Sequence, residues 1–211
     1  MKSIRLLLIA TALGLSISCA TTSHRKAGNT STSLKEAALG VDRSNAQIDV
    51  VLATLADLVN SPHADLKPQF NLFSAAVSKL EAEAKAVNEQ TAAMQEQGAA
   101  YFQQWDTELA TIQNENIRTR SLDRKNTVSA RFDKVRASYV QAKADFAPFM
   151  SDLRDIRTVL TADLTAGGLA SVKSVSDKAS RNVYPLRASL SGLAVDFKTL
   201  GVSLSASTPT I

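Results

Sequence analysis

Cysteine is nearly absent from this chain: one in 211 residues, at Cys19. A single thiol excludes an internal disulfide framework. Histidine is almost as scarce, with only His24 and His63. Neither stands among other ligand residues, so the three or four convergent groups that a zinc site needs are not encoded. His24 lies in a polar stretch and His63 in a loop beside Asp65, and both read as solvated side chains. Eight scattered glycines form no glycine-rich phosphate loop and no Gly-x-Ser-x-Gly elbow, and no Cys–His pair is present. No apolar run reaches the ~20 residues of a membrane-spanning helix. No segment alternates apolar and polar residues for long enough to suggest a sheet. Charge of one sign is also in short supply. The formal net charge is +4, and removing Lys2 and Arg5 with an N-terminal signal leaves +2, too little to argue for nucleic acid.

What is present begins at the N-terminus. Lys2 and Arg5 precede an uncharged, mostly apolar stretch from Leu6 to Ile17, followed by Ser18-Cys19. This is the layout of a bacterial secretory signal. The cysteine directly after a small residue, with Leu15-Ser16-Ile17 before it, resembles a lipobox, although Ser16 stands where leucine is usual. On this reading residues 1–18 are a lipoprotein signal peptide cut between Ser18 and Cys19. The Cys19 sulfur then carries diacylglycerol, and its amine an acyl chain such as palmitate. Each buried methylene adds about 0.8 kcal/mol to membrane attachment, so three chains anchor stably. The other reading is a plain signal or uncleaved anchor with Cys19 incidental. Ala20, where aspartate would suggest inner-membrane retention, favours the outer membrane by resemblance. Residues 19–33, "CATTSHRKAGNTSTS", lack hydrophobic periodicity and are expected to form a flexible tether spanning roughly 20 Å as a coil.

From Leu34 onward apolar residues recur at steps of three and four, the signature of helices packed along one seam. One stripe runs Leu34, Ala38, Val41, Asn45, Ile48, Leu52, Leu55, Val59, with Ser33 and Glu36 as a capping box. A second runs Phe70, Phe73, Val77, Leu80, Ala84, Val87, Thr91, Met94, Gly98, Tyr101, Trp105, then slips to Leu109, Ile112 and Asn116. A third runs from Val128 through Ala142, Phe146 and Phe149 to Leu164, and a fourth from Leu169 to Leu204. The expected fold is all-α: an elongated antiparallel four-helix bundle or coiled coil over residues 34–205, followed by a flexible tail at 206–211. Helices are expected at about 34–60, 67–117, 121–165 and 168–204, with Pro68 in the first turn of the second and Gly167-Gly168 ending the third. The short first helix leaves the second and third protruding as a hairpin. Pro148 and Pro185 fall inside the last two patterns, nearly level across their hairpin. They mark either a coordinated bend or a break of the fourth helix at Tyr184-Pro185.

Residues with chemical potential mostly have structural readings. Glu81, Glu83, Glu89 and Glu96 sit between stripe positions, as on a wet helix face. Tyr101, Phe102 and Trp105 have core spacing. Asn45 and Thr91 on the seam either fix register or tolerate water. Residues 115–136 hold seven basic side chains against three acidic ones, net +4, at the hairpin tip. Arg118, Arg120, Arg124 and Lys125 are therefore candidates for contact with anionic headgroups or a partner. The alternative is an ordinary solvated hairpin with intrahelical ion pairs.

The stretch "YFQQWDTELATIQNENIRTRS" carries Phe102-x-x-Trp105-x-x-Glu108, Asn114, Ile117-Arg118 and Ser121. With "RFDKVRASYVQAKADFAPFMSDLRDI" and the "DLTAGGLAS" turn, it resembles the bacterial family known as domain of unknown function 2959. The resemblance implies an envelope lipoprotein with long helices. It implies no catalytic residues.

The sequence thus points to a lipid-anchored, non-enzymatic coiled-coil protein of the bacterial cell envelope. It would face the periplasm from the outer membrane (or, less favoured, the inner) in a structural or protein-interaction role. No cofactor and no nucleic acid are expected. The expected partners are the membrane, through Cys19, and an envelope protein or a second copy of the chain. The alternative is a periplasm-facing bundle that binds lipid or amphiphile, opening at the proline level. A third reading, an enzyme with a surface site, has no residue pattern behind it.

Overall fold

The computed structural model describes residues 18–205, with side chains from residue 27 onward. Most of the expected 1–18 signal peptide (residues 1–17) and the expected 206–211 tail lie outside the described residues, as do the side chains of Ser18, Cys19 and His24. Four helices make up the fold: α1 (Ser18–Asn60), α2 (Lys67–Thr111), α3 (Glu115–Ala162) and α4 (Ala166–Leu204). Among the described residues there is no strand. The chain runs up, down, up, down. α1 packs on α2 and α4, α3 packs on α4, and α2 and α3 approach each other least. The bundle is therefore closed between its first and last helices and loosest between its middle two.

The predicted stripes form the core, and on α1 the buried face is wider than its stripe. Leu34, Val41, Ile48, Leu55, Phe73, Leu80, Phe149, Leu153, Leu186 and Phe197 are buried. On α1 a second row, Ala37, Ser44, Val51 and Leu58, is buried as well, whereas Leu52 and Val59 are only partly so. A helix with neighbours on two sides needs a broader face than a two-stranded seam provides.

The helix ends depart from expectation in three places. First, α1 does not begin at residue 34. It runs back through the expected 19–33 tether to Ser18. Thr30 is buried, Ser31 Oγ donates to the Gly201 carbonyl (3.0 Å), and Ser33 Oγ donates to Gln97 Oε1 (2.9 Å). The inward row continues as Thr30, Leu34 with small polar side chains, which an apolar pattern misses. The Ser33/Glu36 pair is consequently mid-helix and caps nothing. Second, α2 stops at Thr111 and α3 starts at Glu115, not at 117 and 121. Asn114 caps α3, its Oδ1 accepting from the Ile117 amide (3.1 Å), with Glu115 in the first turn; both features favour a helix start there. Third, Gly167-Gly168 open α4 instead of closing α3. Thr165 is the cap, accepting from the Gly168 amide (3.2 Å). A Cβ on Gly168 would collide with the Asp163 carbonyl, so the tight turn requires glycine.

Pro148 and Pro185 both lie inside continuous helices. The break at Tyr184-Pro185 does not occur. Each proline removes a hydrogen bond to the carbonyl four residues earlier, at Ala144 and Arg181. Those two residues and both prolines are exposed, so water can take the freed acceptors.

Side chains zip the antiparallel neighbours. Asp152, 6% exposed, accepts from Lys178 Nζ (2.8 Å) and Asn182 Nδ2 (3.1 Å). Asp196, 8% exposed, accepts from Lys134 Nζ (2.7 Å) and Ser138 Oγ (2.6 Å). These carboxylates fix α3 against α4 in a register that puts Pro148 and Pro185 nearly level. Across α1 and α4, Lys198 meets Asp42 at 3.1 Å and Lys173 meets Asn60 at 3.0 Å.

Candidate functional sites: the bundle tip and the α2–α3 cleft

The contacts Ser33–Gln97 and Gln47 Nε2–Ala76 carbonyl (3.0 Å) set the antiparallel register of α1 and α2. Extended backward, that register brings the start of α1, at Ser18-Cys19, level with the end of α2 and the 112–114 turn. On α4 the Ser203 carbonyl accepts from Arg124 Nη2 (2.5 Å). The first nine residues of α3 therefore reach about 13 Å past α4. The α2–α3 hairpin protrudes beyond α4, with α1 running alongside it.

The four basic tip residues do not form one free patch. Arg118 pairs with Glu115 on its own helix. Lys125 crosses to Asp106 on α2 and keeps 17% of its side chain exposed. Arg124 is held by the α4 carbonyl. Arg120 is exposed and has no such partner among the described residues. Beside them Ile117 and Leu122 are exposed, at 58% and 43%. Among the described residues, the tip thus offers the unpaired Arg120 and two apolar side chains.

The aromatic group is half-buried and packs against the core. Tyr101 packs on Phe102 and Trp105, and Phe102 meets Phe132 of α3 edge-on at 5.1 Å. Trp105 Nε1 donates to Ser121 Oγ (3.1 Å), tying α2 to α3 near the tip. Burial pushes the Tyr101 phenol above its ordinary range; Arg124 opposes the shift and Glu108 adds to it. Gly98 makes room for the Phe132 ring, which a Cβ there would strike.

Above this aromatic layer α2 and α3 part, leaving a cleft of about 390 Å³. Val41, Val87, Leu190 and Leu193 form its floor, and Ala84, Ala142 and Phe146 line its walls. Its ends are marked by two side-chain bridges. At one end Tyr139 donates from its hydroxyl to Asn88 Oδ1. At the other, Glu81 accepts from Arg154 Nε (2.6 Å) and Arg157 Nη1 (3.3 Å). Burial alone would raise the Glu81 carboxyl, but the two guanidinium groups outweigh it and hold the pKa below its ordinary value. Burial also pushes the Tyr139 phenol up. Lys85 and Lys143 stand at the mouth. Lys85 has a loose, exposed pair with Glu89 at 3.7 Å, while Lys143 has no carboxylate partner among the described residues. Ser44, on the floor, is 4% exposed, and its Oγ has no hydrogen-bond partner among the described residues. Asn45 Oδ1, Gln90 Oε1 and Thr91 Oγ1 on the adjoining α1–α2 seam are likewise buried and unpaired. Asn45 and Thr91 therefore make no register-fixing hydrogen bond through these atoms.

The sequence reading missed this cleft. The available signal was Ala84 facing Ala142: two small residues at the same height on facing stripes cannot fill the space between two helices. Of the predicted wet-face carboxylates, Glu89 and Glu96 are exposed. Glu83 reaches Arg43 at 3.4 Å, and Glu81 is the bridge described above. His63 is exposed in the α1–α2 loop. Among the described residues no group of three or more His, Cys, Asp or Glu is placed to hold a metal ion, and no helix is long and apolar enough to cross a membrane.

A family model described as protein of unknown function (DUF2959) matches residues 23–192. No curated protein and no solved structure matches the chain. The matched span contains Phe102, Trp105, Asn114 and Ser121, which here build the aromatic layer, the α3 cap and the α2–α3 tie. It covers most of all four helices, and the chain belongs to the DUF2959 family.

Proposed function

We propose that this protein is a lipid-anchored, non-enzymatic helical bundle of the bacterial cell envelope. Its role would be structural or in protein interaction, facing the periplasm from the outer membrane. The observation that carries the reading is the path of α1. It runs without interruption from Ser18-Cys19 into the bundle, and its start is level with the α2–α3 turn. Diacylglycerol and an N-acyl chain on Cys19 would bring the tip down on the bilayer without a spacer. Arg120 would then face anionic headgroups, a nearby cation adding about 1 kcal/mol, and Ile117 and Leu122 would meet the interface. The long outer faces of the helices would remain available to an envelope protein or a second copy.

The test is the intact mass of the protein from native membranes, compared with Cys19→Ala. A chain starting at Cys19 and carrying a diacylglyceryl group and a third acyl chain is expected. An unmodified chain would overturn the anchor. The α2–α3 cleft favours a second reading, binding of a lipid or amphiphile.

A further inference from the structure

We infer that the α2–α3 cleft binds one acyl chain that ends in an anionic group, with the chain on the floor between α1 and α4 and the head beside Lys143. This rests on the second reading above and names its ligand. It does not depend on acylation of Cys19.

Four observations converge. The cleft volume, about 390 Å³, lies within the ~300–1,000 Å³ range of small-molecule sites. Its floor and walls are apolar apart from one side chain, the buried Ser44. The charged lining residues are Lys85, Lys143, Arg154 and Glu81, three positive against one negative. Glu81 is already engaged by two arginines, so the uncommitted charge at the mouth is positive. The bridges at Glu81 and Asn88 are seven residues apart on α2, about 10 Å, the length of a single medium-length chain, and a cleft of about 390 Å³ has room for one such chain.

The protein's own lipid is not the occupant. Cys19 precedes Ser44 by 25 residues of continuous helix, about 37 Å, beyond the reach of a single acyl chain. The ligand comes from elsewhere.

Calorimetry with the full-length chain carrying Cys19→Ala, free of detergent, tests the inference with decanoate and 1-decanol as probes. Saturable 1:1 binding of decanoate is expected, with 1-decanol about tenfold weaker. Lys143→Gln should weaken decanoate about five- to tenfold and leave 1-decanol unchanged. Ala84→Trp, which fills the cleft, should abolish both, while Val140→Trp on the exposed face of α3 should abolish neither. Lys143→Gln is a surface change and carries the test alone if Ala84→Trp does not fold. Absence of saturable binding to either probe would overturn the inference together with the amphiphile reading. Equal affinity for the two probes, insensitive to Lys143→Gln, would overturn the anionic ligand while leaving an apolar one. Binding that survives in folded Ala84→Trp would place the ligand outside the cleft and overturn the inference.

Discussion

Glu81 ties α2 to α3 at one end of the cleft. Its carboxylate takes Arg154 and Arg157 together, across a gap the backbones do not close. Its pKa is depressed below 4.5 in the fold, so its contribution to stability is fully present above that value. The contribution is lost as pH falls through the lower, folded pKa. Glu81→Gln should therefore cost about 1 kcal/mol at neutral pH, as for a partly buried charge-assisted pair. In urea melts at stepped pH, the difference from the unsubstituted chain should shrink toward zero in acid, below 4.5. A constant difference would mean that the charge has no part in it. The sequence placed Glu81 on a wet face because its neighbours Glu83, Glu89 and Glu96 share its spacing. Which of four similar glutamates finds arginines on another helix depends on the interhelical register, and that is not written locally. Trp105 was readable by contrast, because its place on the stripe demands an inward ring whatever the partner.

At the scale of elements, the stripes were legible because three- and four-residue steps of large apolar side chains have few other solutions. The ends were less so. Asn114-Glu115 is a readable cap, yet the stripe's step from Ile112 to Asn116 ran across it and hid the turn. The beginning of α1 was hidden for a different reason. Thr30, Ser31 and Ser33 make inward contacts with small polar side chains, and their partners Gly201 and Gln97 lie far along the chain. A helix docked in this way differs measurably from a tether. Asn29 is exposed, so Asn29→Pro tests the backbone alone. It should lower stability by about 3 kcal/mol if residues 27–33 are packed helix. A tether would leave the urea midpoint unchanged.

For the whole molecule, antiparallel helices of 39 to 48 residues make a rod. α2 alone, at 45 residues, spans about 67 Å. If Cys19 is acylated, the rod stands with the 112–114 turn on the bilayer and the 61–66 and 163–165 loops at the far end. Fluorophores on Thr119→Cys and His63→Cys in the acylated protein, reconstituted with brominated lipid, should read this directly. Strong quenching is expected at 119 and none at 63. Equal quenching would mean a bundle lying flat. The four-helix architecture was legible at this scale, because helix lengths and short connections dictate alternating directions. The identity of the loosest pair was not. It follows from Ala84 and Ala142 sharing a height, which depends on the relative slide of two helices.

The pairing of α1 with α4 has a consequence for how the chain reaches this form. Ser31 and Gly201 touch across 170 residues of sequence, and contacts that distant are slow to make because the intervening loop must first close. If the chain is exported N-terminus first, α1 has one flank bare until α4 has crossed. Premature termination before α4 would leave Leu34, Val41 and Ile48 without half their covering, and the shortened product would be a substrate for proteolysis. The order of synthesis thus makes the final helix the one that commits the whole bundle.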